Sequence, residues 1–209
     1  MEKSSGLETK SEKSESVGKP GKPFYIYTFA VLLNTIGLIP FELILYKANA
    51  ILEPINQIWI VPLIYTLIQS IDAPTALFAG FAYDKFKIRV LILPFALSVI
   101  PTLLAMANTN MAMLIAAAVF FGLVLGMQES IYRAAVSNFA PISSRGTAYG
   151  VFSTAYGVGM LISGVIYGLM AQLNTSYNVV IAYAAVTQTA AIVLLLNAYS
   201  KTKINEAIN

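Results

Sequence analysis

Apolar stretches of about twenty residues recur along this chain, and they constrain its fold more than any other feature. A helix rises about 1.5 Å per residue, so about twenty apolar residues cover the roughly 30 Å of hydrocarbon in a bilayer. Six runs are read: Phe24 to Leu45, Gln57 to Ala82, Val90 to Ala107, Met111 to Tyr132, Thr147 to Met170 and Tyr177 to Tyr199. Asn, Pro, Ser and charged residues break them at Lys47 to Asn56, Asp84 to Arg89, Asn108 to Asn110, Ser137 to Arg145 and Asn174 to Ser176. Membrane strands would show alternating segments of about ten residues. The expectation is therefore an all-α integral membrane protein with six transmembrane helices in one domain, residues 24–199. Only 11% of the chain is charged, against about 25% in an ordinary soluble domain. With no Cys and no His, disulfide frameworks, the usual zinc sites and histidine-activated nucleophiles drop out. No metal, no cofactor and no enzyme activity are expected.

Residues 1–23 are mostly Ser, Lys, Glu, Gly and Pro and cannot bury enough surface to fold. They read as a disordered tail, and no secretory leader is expected because the first apolar run starts late and spans a full membrane thickness. Residues 200–209 read as a second tail. Lys and Arg then set the orientation. With an even number of crossings, Lys3, Lys10, Lys13, Lys19 and Lys22 share a side with Lys85, Lys87, Arg89, Arg133, Arg145, Lys201 and Lys203; only Lys47 falls opposite. Both termini are expected to be cytoplasmic in the cell membrane. The net charge of +3 thereby becomes a matter of topology and not a nucleic-acid footprint.

Small residues mark seams. Ala118, Gly122, Gly126, Ser130 and Ala134 recur every four residues, a groove in which another helix can approach closely. The fifth run carries Gly146, Gly150, Gly157, Gly159, Gly164 and Gly168, suited either to tight packing or to helices sliding past one another.

Polar groups inside the runs need partners, water or a role, since an ionisable side chain near the bilayer centre costs about 2.5–3.5 kcal/mol on insertion scales. Tyr65, Gln69 and Asp72, followed by Ala76, Ala79 and Tyr83, form one polar-to-small stripe that should face protein or water. Asp72 is read either as a proton or substrate site or as a hydrogen-bonded or gating group, and Pro74 frees a carbonyl one turn back. Glu42, after Pro40, is read as a snorkelling pair with Lys47 or as a cavity residue. Glu129 and Arg133, at i and i+4 beside Gln128, form a salt bridge within the helix or line a cavity and inner gate. Asn34 and Thr35 are read as cavity-facing, Thr187 and Gln188 as packing between helices.

After the second run the chain reads Gly80-Phe81-Ala82-Tyr83-Asp84-Lys85-Phe86-Lys87-Ile88-Arg89. This resembles the major facilitator superfamily signature, Gly-x-x-x-Asp-Arg/Lys-x-Gly-Arg-Arg/Lys, which in that family lies in the cytoplasmic loop between the second and third helices of a six-helix half. Gly80, Asp84, Lys85 and Arg89 match, whereas Lys87 replaces the second glycine and Ile88 the first arginine. Pro141-Ile142-Ser143-Ser144-Arg145-Gly146-Thr147-Ala148-Tyr149-Gly150 similarly resembles the start of the eleventh helix of such transporters. Ser143 and Ser144 are suited to cap that start.

The resemblance implies a C-terminal half of a twelve-helix transporter, with the N-terminal tail corresponding to the central linker. It implies that the first and fourth runs line a cavity, with Asn34, Glu42, Gln128 and Glu129 as lining candidates, and that the second run, carrying Gln69 and Asp72, gates it. It implies that Asp84 latches onto the Ser144 to Gly146 helix start of a partner half. Lys85 and Arg89 then meet nearby acids or lipid headgroups, and Arg133, Arg145 and Gly146 belong to the same gate. The expected function is secondary transport of a small solute by alternating access. The chain would pair with itself or with a separate six-helix half in the lipid bilayer. A remnant half or regulatory subunit that does not transport is the alternative. No Walker sequence is present, so ion-gradient coupling or facilitated diffusion is left.

Overall fold

A computed structural model describes residues 19–107 and 110–208, with side chains described as far as Lys201. Residues 1–18, most of the expected disordered tail, and residues 108–109 of the third connection lie outside the described residues. The described chain is built from nine α-helices and short tighter or wider turns: α1 (Lys22–Gly37), α2 (Phe41–Leu52), α3 (Ile60–Phe86), α4 (Ile92–Leu97), α5 (Val99–Ala107), α6 (Met111–Met127), α7 (Arg133–Phe139), α8 (Arg145–Gln172) and α9 (Tyr177–Ile208).

Five helical runs among the described residues are long and apolar enough to cross a membrane: Lys22–Ile55, Ile60–Ala107, Met111–Phe139, Ile142–Gln172 and Tyr177–Lys201. The second has 48 residues and would extend about 72 Å if straight. It holds the stretches of two expected spans, and it is not straight. Lys87 takes φ 54° and ψ −139°, which ends α3, and a 3₁₀ turn, Lys87–Leu91, leads into α4.

Two buried clusters show which way each helix runs. One gathers Phe24 and Tyr27 from the start of α1, Tyr83 from the end of α3, Phe95 from α4, Tyr132, Ala148 from the start of α8 and Leu195 late in α9. The other gathers Ile39 and Ile44, Ile64 from the start of α3, Ala105 from the end of α5, Leu114 from the start of α6, Tyr167 late in α8 and Val180 early in α9. The chain therefore reverses between α3 and α4. Outward faces remain apolar, with Phe78, Phe81, Leu161 and Val186 well exposed, the inverse of a soluble surface.

The seams follow the small residues. A β-carbon on Gly122 would lie 2.7 Å from the Ile68 carbonyl oxygen, and one on Gly126 would collide with the Asp72 carbonyl oxygen and lie 2.9 Å from the Ala76 nitrogen. The groove predicted along α6 is thus filled by α3, backbone against side-chain-free backbone. At Gly159 an added β-carbon would meet Thr35 of α1. The other glycines of α8, Gly146, Gly150, Gly157, Gly164 and Gly168, would add β-carbons into open space. The last helix continues past the expected end at Tyr199 to Ile208.

Candidate functional site

Asn34 is wholly buried three residues before the end of α1 and, directly or through Gln128, ties five helical segments together. Its amide nitrogen donates to Gln188 Oε1 at 2.6 Å and Ser98 Oγ at 3.2 Å. Its side-chain oxygen accepts from the Tyr132 hydroxyl at 2.7 Å and Gln128 Nε2 at 3.1 Å. Gln188 Nε2 donates to its backbone carbonyl at 2.9 Å, and Tyr156 donates to Gln128 Oε1 at 3.1 Å. Both donors and both acceptor sites of the Asn34 amide are used. Asn34 and Gln128, read as lining residues, are thus bonded to each other inside the bundle; Gln188 does pack between helices, as expected. Ser98, Tyr132 and Tyr156 were not singled out from the sequence. A buried tyrosine hydroxyl within an apolar run was the available signal, because it must find an acceptor.

Gln128 and Glu129 open a π-helical turn, Gln128–Tyr132. Such widened turns leave a backbone group without its helical partner and occur often at functional sites. Tyr27 on α1 donates to the carbonyl of Tyr132, the last residue of this turn, at 2.8 Å. Glu129 and Arg133 are both exposed, and no ion pair joins them among the described residues, so the i, i+4 salt bridge is not made. Gln128, Glu129, Arg133, Tyr132, Phe152 and Tyr156 instead border a small cavity of about 40 Å³.

Asp72 lies on α3 against the Gly126 seam, only 8% exposed, and its Oδ1 has no hydrogen-bond partner. Glu129 and Asp72 both act electrostatically on Tyr156, as does Arg133. Glu129 of the π-turn and Arg133 of α7 thus share the small cavity with Tyr156 of α8, and Asp72 faces the same charges from α3. The rest of the Asp72 stripe divides: Ala79 and Tyr83 are buried, whereas Tyr65 and Gln69 are uncovered.

The first run is broken where Pro40 follows Gly37. Helices broken inside a membrane must satisfy the freed backbone groups from neighbours, and here side chains do so. Tyr183 donates to the Ile36 carbonyl at 3.0 Å, Tyr167 to the Gly37 carbonyl at 2.7 Å, and Ser163 to the Leu38 carbonyl. The Ile39 amide donates to Thr102 Oγ1 at 3.1 Å. Beyond the break, Glu42 sits in the first turn of α2. Lys47 is not its partner: Lys47 Nζ donates to the Ala105 carbonyl near the end of α5 at 2.9 Å. Five residues along a helix amount to about 140° of rotation, which points the two side chains apart.

Asp84 and Lys85 are exposed in the last turn of α3, and Lys87 and Arg89 just beyond it; Asn138 on α7 bonds the Tyr83 hydroxyl one residue before them. Gly80 lets α3 approach Ser130, whose Oγ would lie 3.2 Å from an added β-carbon. Helix α8 begins at Arg145, directly after Ser144. Ser144 does not cap it, however; its hydroxyl turns back 3.4 Å to the Pro141 carbonyl. Arg145 reaches the Ser137 carbonyl near the end of α7 at 3.4 Å, where a cation complements the helix dipole.

A family model, Major Facilitator Superfamily, matches residues 24–207. The chain belongs to the major facilitator superfamily. Members of that superfamily are transporters, and with its five long apolar helical runs this chain is a multi-pass membrane protein of a lipid bilayer. Among curated proteins it is similar to uncharacterized protein Mb2288 of Mycobacterium bovis and uncharacterized protein Rv2265 of Mycobacterium tuberculosis, each 26% identical over 176 residues. The match covers 80% of this chain and 42% of each relative, so the chain spans less than half the length of the curated relatives it matches. No solved structure matches it.

Proposed function

We propose that this superfamily chain acts as one half of a secondary transporter that moves a small solute by alternating access. In this reading the reversal at Lys87 makes six crossings of the five long runs, with both termini cytoplasmic in the cell membrane. The other half is a second copy or a separate six-helix chain. The uncovered glycines in the first half of α8, Gly146, Gly150 and Gly157, support such pairing, since a partner helix could lie against them without displacing any side chain. Asp84 would then meet the Ser144 to Gly146 helix start of the other half as a latch, with Lys85 and Arg89 on acids or headgroups beside it.

Asp72 carries the reading. A carboxylate buried in a membrane with an unpartnered oxygen is costly unless it exchanges a proton or a ligand in the working cycle. Its placement at the α3–α6 seam, in a cluster with Glu129, Arg133 and Tyr156, couples any change of its charge to the helices that would move. The test is uptake into proteoliposomes holding the purified chain under an imposed proton or sodium gradient. Gradient-dependent uptake that falls at least about tenfold in Asp72→Asn, while the protein stays monodisperse, is the expected result. Inert proteoliposomes that contain verified dimers would overturn it in favour of a remnant or regulatory subunit.

A further inference from the structure

A groove of about 510 Å³ opens between α2 and α8 at the end of the bundle away from the Asp84–Arg89 loop. Its volume is that of a site for a drug-sized molecule. The walls are apolar and aromatic, with Phe41 and Tyr46 from α2, Phe121 from α6 and Leu161 from α8, and the floor beside Gly164 and Gly168 carries no side chain. Glu42 contributes its only charged lining residue, and no Lys or Arg lines it. The nearest base in sequence, Lys47, is committed to the Ala105 carbonyl.

The charge balance of this groove is negative. The start of α2 presents roughly half a positive charge, and the end of α1, three residues earlier, presents roughly half a negative one. These offset each other across the Gly37 to Pro40 break, whose carbonyls are already taken by Tyr167, Tyr183 and Ser163. The full charge of Glu42 remains. A carboxylate among aromatic rings, in an apolar groove without a base, complements a cation that is bulky and greasy: the carboxylate meets the charge, and the rings meet both the hydrocarbon and the cation.

We propose that this groove binds amphiphilic organic cations, with Glu42 as the charge-recognising residue and Phe41, Tyr46 and Phe121 as the aromatic walls. The proposal deepens the transport reading by naming a substrate class, and it rests on that reading only for what happens after binding.

Equilibrium binding of tritiated tetraphenylphosphonium to the full chain in phosphatidylcholine nanodiscs, with empty nanodiscs as background, tests it. The nearly isosteric anion tetraphenylborate separates charge recognition from greasiness. Expected are saturable cation binding, weak anion binding, a loss of at least about tenfold in Glu42→Gln, retention in Glu42→Asp and no change in Glu53→Gln, an exposed acid outside the groove. Gly164→Leu should also abolish binding, because a β-carbon there points into open space and the rest of the side chain would occupy the groove that Gly164 lines. Should that variant misfold, the Glu42→Gln and Glu42→Asp pair still decides. Cation binding indifferent to Glu42→Gln, or equal binding of the anion, overturns the proposal and makes the groove an acyl-chain surface. Loss of the site in nanodiscs loaded with two copies overturns it in favour of a self-association face. Cation binding with inert proteoliposomes would leave the site and sink transport; uptake of another solute without cation binding would do the reverse.

Discussion

Lys87 has a backbone that glycine adopts freely and other residues do not. Its φ of 54° with ψ −139° costs a residue with a β-carbon about 1–3 kcal/mol. It stands where the superfamily motif has its second glycine, so the mismatch seen in the sequence is a strained turn in the structure. Lys87→Gly should raise stability by about 1 kcal/mol, read as a higher Tm by thermal unfolding in detergent. An unchanged or lower Tm would mean that the lysine side chain contributes more than the strain costs. Asn34 teaches the opposite lesson. Its position inside an apolar run marked it as needing partners, but Ser98, Gln128, Tyr132 and Gln188 come from distant parts of the chain. Only folding could say whether those partners would be protein or a cavity.

Among elements, α6 was the most legible. A four-residue repeat of small side chains needs no tertiary information to be read as a seam, because i, i+4 residues share a face in any α-helix. Which helix fills it was not legible, and α3 does so closely enough to forbid a methyl group at Gly126. Gly126→Ala should therefore destabilise the protein by about 1–3 kcal/mol through overpacking, whereas Gly157→Ala on the open face of α8 should be neutral or slightly stabilising. Paired thermal unfolding curves decide this; equal effects would contradict the α3–α6 contact. The π-turn at Gln128–Tyr132 and the break at Gly37 to Pro40 differ in the same way. Pro40 announces a break, but nothing local announces a π-turn, whose last residue is bonded by Tyr27 from the distant α1.

At the scale of the whole molecule, the placement of Lys and Arg makes a claim that the native absence of cysteine renders simple to check. In intact cells Gln57→Cys should react with a membrane-impermeant maleimide, while Lys85→Cys should react only after permeabilisation; both positions are exposed. The opposite pattern would invert the orientation, and labelling of both from outside would refute the crossing made by α3. The superfamily match over residues 24–207 places the chain in a class of membrane transporters, and the chain spans 42% of the length of each curated relative it matches.

The sequence by itself determined that the chain is helical, membrane-embedded and built on the superfamily plan. The first two rest on local quantities, the length of apolar runs and the spacing of small residues; the third rests on the resemblance of the Gly80–Arg89 and Pro141–Gly150 segments to the superfamily's motifs. The tertiary structure decided what the polar residues do. Asn34 and Gln128 are joined inside the core, Asp72 is left with an unpartnered oxygen, and Glu42 is separated from Lys47 at the mouth of an apolar groove. Those outcomes depend on which helices meet, and in a membrane a polar group takes its role from its neighbours, since no water stands ready to replace a missing one.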